Sequence, residues 1–318
     1  MEKIYLEFEA IRKFCVTNCS AYERWPSYYK RRYLEFLSYY ALFPKKHWDA
    51  VLELGCGIGY QSAFLSKVST HVIATDLDEE DIETHAPGMQ KARDLLNHLD
   101  VKNVDLISCS AENLPFEDNS FDMVYSSHVL EHIPDQQKAL KEIYRVLKPG
   151  GIHFCVVPTT MEKIYAFINF YIYLMGRVFH HIGSRLFPTK EKVTSAKSTS
   201  STTSLQQRAA SQLKYFPFPA PHGHYKHFLE ELRLWTPGNW IKVIEKNTHF
   251  KVVQQSTTQC NFLLSLLGSF APNLGTSVHA LTRKIELKLG KWPVIRSMGI
   301  NTVMICEVGE KKKLIESV

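Results

Sequence analysis

The sequence lacks the features of a secreted, disulfide-bonded or membrane-spanning protein. Its opening stretch, MEKIYLEFEA, carries acids and no long apolar core, so no secretory signal is expected. The seven cysteines are scattered and form no CxxC pair, which favours buried thiols in a reducing compartment over disulfides or a metal site. The apolar run of 164–187 contains Asn169 and stops at Arg177, short of the roughly 18–20 residues that span a bilayer. A cytoplasmic protein without a resident metal is therefore expected.

A basic stripe interleaved with aromatic residues is also missing, so nucleic acid is not an expected partner. The net charge of +6 lies in one segment, residues 159–235, which holds ten Lys and Arg against four Glu. Such an excess indicates a surface that meets anions, such as lipid headgroups or an acidic substrate. A solvated loop explains the same charge equally well.

The length of 318 residues, with 45% hydrophobic and 22% charged residues, fits one large globular domain with insertions or two small domains. Composition and pattern divide it into four parts. These are an aromatic-rich helical cap over 1–47, a strand–helix core over 48–158, an apolar and basic helical insertion over 159–249 with a mobile loop near 189–213, and C-terminal strands over 250–318 with an insertion at 259–300.

Strand and helix patterns alternate through the core, which predicts a parallel, doubly wound sheet. Helices are predicted over 60–67, 82–99 and 136–146. The predicted strands are Ala50–Leu54, His71–Thr75, Val104–Cys109, Phe121–Ser126 and Ile152–Val157, followed after the insertion by Phe250–Thr258 and Asn301–Val308. Lys148-Pro149-Gly150-Gly151 is predicted to end a helix and turn into the fifth strand.

The rest of the chain is organised around residues 51–59, VLELGCGIG. The apolar run predicts a buried parallel strand, and the glycines predict a tight turn where the backbone comes close to a ligand. A strand, a glycine turn and a helix together build a nucleotide cradle in an α/β sheet.

Further blocks follow this stretch in order, and the whole series resembles a family. The blocks are Glu53–Gly59, Asp76, Ala111–Phe116, Ser120–Val124, Val129–Ile133 and Glu142–Gly151. Over residues 48–157 the series resembles class I S-adenosylmethionine-dependent methyltransferases of the small-molecule, type 11-like kind. The resemblance implies an enzyme with a Rossmann-like, doubly wound seven-stranded sheet, an antiparallel last strand, and helical insertions over the active-site end.

The resemblance also implies S-adenosylmethionine as cofactor and assigns residues to it. Gly55, Gly57 and Gly59 would approach its methionine part, and Glu53 would accept a hydrogen bond from its amino group. Asp76 would bind both ribose hydroxyls. The remaining assigned residues are Leu77, Ala111 and Glu112 at the adenine and Ser127 beside the sulfonium. Ser110 departs from the family, which usually has Asp there; a hydroxyl makes a weaker contact with the adenine amino group.

Methyl transfer has no universal catalytic motif, because the cofactor arrives activated and the protein mainly aligns the acceptor. An acceptor that must lose a proton needs a base. The candidate bases are His132, His128 and His224, with His222 as a further candidate and Tyr22 or Tyr225 as orienting groups. His132 is equally well explained as an orienting partner, and Glu131 as a residue that pairs locally.

Both insertions and the aromatic N-terminus are expected to converge over the carboxyl ends of the strands. We interpret them as a lid for a small, apolar acceptor such as a lipid, an isoprenoid or a glycolipid. The 164–187 helix and the basic residues near it could rest on an anionic membrane surface, or form an enlarged core or a dimer face.

Two other functions stay open. One is a non-catalytic S-adenosylmethionine-binding or interaction module. The other, an NAD(P)-dependent oxidoreductase, is less favoured because it requires G-x-G-x-x-G, whereas the glycines here are spaced G-x-G-x-G.

Overall fold

The structure is a computed structural model that describes residues 2–18, 26–77, 88–186, 217–219, 221, 225–246, 248–258 and 299–309. The candidate residues Tyr22, His222 and His224 lie outside the described residues, as do the predicted mobile loop and most of the 259–300 insertion. Helices are α1 (Glu2–Thr17), α2 (Pro26–Leu42), α3 (Tyr60–Leu65), α4 (Gly88–His98), a short 3-10 helix (Leu130–His132), α5 (Gln136–Val146), α6 (Thr160–Leu186), α7 (Phe228–Leu234) and α8 (Pro237–Glu245). Strands are β1 (Trp48–Leu54), β2 (Ser69–Asp76), β3 (Val104–Ser108), β4 (Phe121–Ser127), β5 (Leu147–Pro158), β6 (Phe250–Thr258) and β7 (Asn301–Val308).

The strands form a seven-stranded sheet in the order β3-β2-β1-β4-β5-β7-β6. Strands β1 to β5 pair in parallel, whereas β7 lies antiparallel between β5 and β6. This confirms the predicted α/β sheet with an antiparallel last strand. Strand β6 therefore runs parallel to β5. The last residue of β6, Thr258, pairs directly with Asn301, the first residue of β7, at the carboxyl edge of the sheet.

Hydrophobic residues cover both faces of the sheet. On one face, α1 to α4 pack over alternate residues of the central strands, such as Tyr125 and Phe154. The aromatic residues of α2 belong to this layer: Phe36 and Tyr39 are fully buried, and Phe36 stacks on Phe64 with ring centroids 4.9 Å apart. On the other face, α5, α8 and the residues around them bury a second cluster that contains Trp240. The predicted aromatic cap is thus largely core.

The fifth strand begins earlier than predicted, at Leu147, which pairs with Phe121 on β4; the register then shifts over the Lys148–Gly151 turn, and pairing resumes between Ile152 and Met123. The physical reason is a polar contact. Lys148 Nζ lies 2.9 Å from Asp122 Oδ1 on β4, and Asp122 Oδ2 accepts the backbone N–H of Ala50 on β1 at 2.9 Å. These contacts fix the entry of β5 against its neighbours, and Gly150 supplies the positive φ of 73° at the bend.

Helix α6 joins the sheet to the insertion through a buried ion pair. Lys163 Nζ lies 2.9 Å from Glu231 Oε2 on α7, and the two side chains are 1% and 0% exposed. The ammonium also sits 4.2 Å from the ring centroid of Trp235. Such a pair needs both partners, since a single buried charge is expensive. None of the helices in the described part of the chain is long and apolar enough to span a bilayer.

Candidate active site

A cavity of about 300 Å³ opens at the carboxyl ends of β1, β2, β3 and β4. Ligands of doubly wound sheets bind at this edge, where the strand order reverses. The wall of the cavity brings together eight of the residues that the sequence predicts for the site. They are Gly55, Asp76, Leu77, Ser110, Ala111, Glu112, His128 and His132.

The glycines in the turn after β1 are needed for different reasons at different positions. Gly55 has φ 68°, and a Cβ there would lie 2.3 Å from Val129 Cγ2, so this position has no room for a side chain. Gly57 has φ 54°, yet a Cβ there would meet no atom of the described residues within 4 Å. As far as the chain is described, the backbone of Gly57 therefore has open space beside it, as a turn that receives a ligand would. Gly59 packs instead against α4, since its Cβ would lie 2.9 Å from Ala92 Cβ.

Asp76 ends β2 and connects that strand to the glycine turn. Its Oδ2 accepts the backbone N–H of Gly57 at 2.6 Å, and its Oδ1 accepts the N–H of Leu77 at 2.8 Å. A carboxylate fixed by two backbone N–H groups keeps lone pairs for further donors, because each oxygen can accept more than one bond. The Leu77 side chain beside it is 47% exposed, so it offers an apolar surface against which a planar ligand group would pack.

Glu53 lies one residue from the end of β1 and is 2% exposed. Its Oε2 accepts a hydrogen bond of 2.5 Å from Ser62 on α3, and the residue is not part of the cavity wall. Burial raises the pKa of this carboxyl to about 8; the Ser62 hydroxyl opposes the shift, and the charge of Asp76 adds to it. The expected contact of Glu53 with a cofactor amino group stays a prediction.

The loop after β3 is held by its own side chains. Ser110 Oγ accepts the backbone N–H of Glu112 at 3.2 Å, and Glu112 Oε1 accepts the N–H of Asp135 at 2.9 Å. Asp135 is the N-cap of α5, where its side chain accepts the N–H of Lys138. Glu112 thus connects the cavity wall to the start of α5.

His128 follows β4 in a left-handed backbone conformation, with φ 59°. Its backbone N–H donates to the carbonyl of Val156 at 2.9 Å, and its Nδ1 lies 3.4 Å from Oε1 of the buried Glu131. His132 reaches the same cavity from the end of the 3-10 helix. The two candidate bases are therefore on one wall, and the expected local pairing of Glu131 is present.

Five of the described residues that the sequence predicts are not part of this wall: Glu53, Gly57, Gly59, Ser127 and Tyr225. Glu162, in the first turn of α6, is not among the predicted residues; burial raises the pKa of its carboxyl, and the charges of Lys163 and His128 oppose the shift. No local motif identifies it, because its surroundings are built by segments that are distant in the sequence.

The residues present fit S-adenosylmethionine. The open space at Gly57, the fixed carboxylate of Asp76 and the exposed Leu77 lie next to each other at the mouth of β1 and β2. These features suit the methionine part, the ribose and the adenine in the order that the sequence predicts.

Comparison with known proteins supports the same assignment. Residues 52–155 match the family described as a methyltransferase domain. A demethylmenaquinone methyltransferase of Staphylococcus saprophyticus is 35% identical over 143 residues, which are 42% of this chain and 58% of that relative. A ubiquinone/menaquinone biosynthesis C-methyltransferase of Haemophilus ducreyi is 40% identical over 105 residues, 32% of this chain and 38% of that relative. The chain thus spans less than two thirds of the length of either relative.

Among solved structures, an S-adenosylmethionine-dependent methyltransferase from Mesorhizobium loti aligns with a TM-score of 0.46 at 12% identity. That alignment covers 86% of this chain and 97% of the other.

Proposed function

We propose that the chain transfers a methyl group from S-adenosylmethionine to a small, apolar acceptor. Residues 52–155 match a methyltransferase domain, and a curated relative that is 35% identical over 143 residues is a methyltransferase. One observation carries the proposal. A single cavity wall holds Gly55, Asp76, the Ser110–Glu112 loop, His128 and His132 at the carboxyl edge of the sheet. The donor-binding and the candidate proton-accepting groups are therefore adjacent.

When bound, S-adenosylmethionine supplies a methyl group that is already activated on a sulfonium. Asp76 would hold the ribose hydroxyls, and Leu77 and Ala111 would flank the adenine, with the Ser110 hydroxyl at its edge. The chain's own contribution is to orient the acceptor and exclude water, as expected for an in-line displacement. His128 or His132 would accept the proton of an acceptor that has one to lose.

We further propose a ring acceptor of the quinone type. The two relatives are named a demethylmenaquinone methyltransferase and a C-methyltransferase of ubiquinone/menaquinone biosynthesis. Helix α6 leaves β5 at the cavity edge with an apolar stripe at helical spacing, which suits an apolar acceptor or the membrane that holds one. Its members are Ile164, Ile168, Ile172 and Met175, each between 37% and 51% exposed.

Calorimetry with S-adenosylmethionine tests the donor site. Wild-type protein is expected to bind, and Asp76→Ala to bind at least about 10-fold more weakly, since a charge-assisted hydrogen bond contributes roughly 1.5–3 kcal/mol. Asp49→Ala is the matched control, because Asp49 is exposed near the opposite end of β1. Equal affinity of Asp76→Ala and wild type would remove the cofactor assignment.

Transfer of labelled methyl groups to lipid and small-molecule extracts tests the activity. Label in an apolar product supports the proposal. Binding without any labelled product favours the non-catalytic module, and tight binding of NAD(P)H in place of S-adenosylmethionine favours the oxidoreductase.

The membrane part has its own experiment. Wild-type protein is expected to co-sediment with anionic vesicles at low salt. The double variant Ile168→Gln/Ile172→Gln is expected to stay in the supernatant. Leu6→Gln is the control, because Leu6 is an apolar residue on α1 that is 66% exposed. Equal sedimentation of all three proteins would argue against α6 as the contact.

A further inference from the structure

The charges on the cavity wall match only part of the proposed donor. S-adenosylmethionine carries a carboxylate, an ammonium and a sulfonium. Among the described residues, the wall holds the carboxylates of Asp76 and Glu112 and two histidines, but neither lysine nor arginine. The positive groups of the donor therefore have opposite charges nearby, whereas its carboxylate has no permanent cation on the wall. A charge that leaves water needs such a partner, so a cation beside the glycine turn would complete the site.

Helix α2 runs from the glycine turn towards β7. Near its start, the carbonyl of Tyr29 accepts a hydrogen bond of 3.1 Å from the hydroxyl of Tyr60, the residue that follows the turn. Ten residues later, the hydroxyl of Tyr39 accepts a bond of 3.0 Å from Nδ2 of Asn301, the first residue of β7. Both contacts lie at the carboxyl edge of the sheet. The segment of α2 between them therefore crosses β4 and β5 near this edge.

Arg32 lies on this segment, about one turn after Tyr29. It precedes Tyr39 by seven residues, which is close to two full turns, so both side chains project from the same side of α2. The Arg32 side chain is 26% exposed, whereas that of Glu35, one turn later, is 6% exposed. Arg32 is therefore an accessible cation on the side of α2 that meets the carboxyl edge.

The guanidinium of Arg32 is held in place and keeps further donors. Its Nη1 donates to Oε2 of Glu35 at 2.8 Å, and its Cζ lies 5.8 Å from the ring centroid of Tyr28. Arg32 makes no other hydrogen bond with the part of the chain that the structure describes. A guanidinium carries several N–H donors in a rigid planar fork, which matches the two oxygens of a carboxylate. Because Glu35 and Tyr28 already orient this fork, binding an anion costs less ordering.

We propose that Arg32 binds the carboxylate in the methionine part of S-adenosylmethionine, and that Glu35 and Tyr28 position its guanidinium. This role rests on the proposed methyl transfer and deepens it, because it adds a residue of the N-terminal helices to the donor site. An acceptor with an anionic oxygen would use the same chemistry at Arg32. The experiment therefore compares two donors that differ in the carboxylate alone.

Decarboxylated S-adenosylmethionine keeps the adenosine, the sulfonium and the amine but lacks the carboxylate. In calorimetry, Arg32→Gln is expected to bind S-adenosylmethionine about 10- to 100-fold more weakly than wild type, which is the contribution of a charge-assisted hydrogen bond. Its affinity for the decarboxylated ligand is expected to equal that of wild type. Arg12→Gln is the matched control, since Arg12 on α1 also pairs with a glutamate three residues away and is 22% exposed. It should bind both ligands as wild type does.

The double variant Arg32→Gln/Glu35→Gln keeps the test decisive if the single variant is unstable, because it leaves no uncompensated buried carboxylate. It is expected to show the same selective loss. Equal weakening of both ligands would reveal a purely structural role, and either result would overturn the proposal: that one, or wild-type affinity for S-adenosylmethionine in the folded variants. Unchanged donor affinity with a raised KM for the acceptor would assign Arg32 to an acceptor oxyanion instead. Wild-type protein that binds neither ligand would refute the proposed function itself, so the two failures are distinguishable.

Discussion

Asp76 Oδ2 accepts the backbone N–H of Gly57 at 2.6 Å, so the end of β2 holds the turn that follows β1. A side chain 19 residues away therefore holds the turn in its shape. Such preorganisation reduces the ordering cost of binding. Glycine has two different roles in this turn. At Gly55 the fold leaves no space for a side chain, whereas at Gly57 the absence of a side chain leaves space for a ligand.

Alanine at Gly55 and at Gly57 should have different effects. Each substitution places a side chain at positive φ, at a cost of about 1–2 kcal/mol. Gly55→Ala also forces a Cβ to within 2.3 Å of Val129, and overpacking of this kind costs roughly another 1–3 kcal/mol. Urea unfolding should rank Gly55→Ala well below Gly57→Ala in stability, whereas calorimetry should show weakened S-adenosylmethionine binding in Gly57→Ala. Equal stability losses would contradict this division.

Glu53 should make the wild-type protein less stable as pH rises. Burial raises the pKa of this carboxyl from its ordinary value of 4.5 to about 8, so between these values the folded state binds more protons than the unfolded state. The free energy of unfolding should then fall from about pH 4.5 to about pH 8 and level off above. Glu53→Gln removes this slope and should be more stable than wild type by a few kcal/mol at pH 8, at roughly 1.4 kcal/mol per pKa unit. Urea titrations at several pH values measure the free energy of unfolding of both proteins. The same pH dependence in wild type and Glu53→Gln would contradict this prediction.

Removing one partner of the Lys163–Glu231 pair should destabilise the protein strongly. Both side chains are buried, so Lys163→Met leaves an uncompensated carboxylate at a cost of about 3–5 kcal/mol. The double variant Lys163→Met/Glu231→Leu should recover much of that loss, because both desolvation costs disappear. Thermal unfolding of the two variants beside wild type is the measurement. A double variant as unstable as the single one would mean that the pair contributes net stability.

Asparagine is the informative replacement at His128. Asn tolerates left-handed φ, so His128→Asn should unfold within about 0.5 kcal/mol of wild type and bind S-adenosylmethionine normally. Without a base, transfer to an acceptor that must lose a proton should fall by about 10²–10⁴-fold. Single-turnover assays at saturating cofactor separate this from a binding defect. Retained transfer would point to His132 instead.

The strands could be predicted because their signal is local. Phe250–Thr258 and Asn301–Val308 have the bounds that their alternation predicts, and β1 to β4 differ by one to three residues at their ends. Buried apolar runs of this length are recognisable without knowledge of their neighbours. The glycine turn and Asp76 were recognisable for a similar reason, since their chemistry requires fixed residue types at a fixed place after a strand.

What could not be predicted depends on contacts between distant segments. Glu53 does not line the cavity, because its carboxyl group accepts a hydrogen bond from Ser62 on α3. No pattern in the sequence indicates that Ser62 is its partner. Similarly, Lys163 and Glu231 are 68 positions apart and pair only in the folded chain.

The pairing of Thr258 with Asn301 has a consequence for how such a protein can diversify. Residues 259–300 therefore begin and end at two directly paired positions of the sheet. The entropic cost of closing a loop between two fixed ends grows slowly with its length, by about 0.6 kcal/mol for each doubling. Insertions and deletions between these two positions are therefore compatible with the same pairing of β6 and β7 and with the same cavity at β1 to β4.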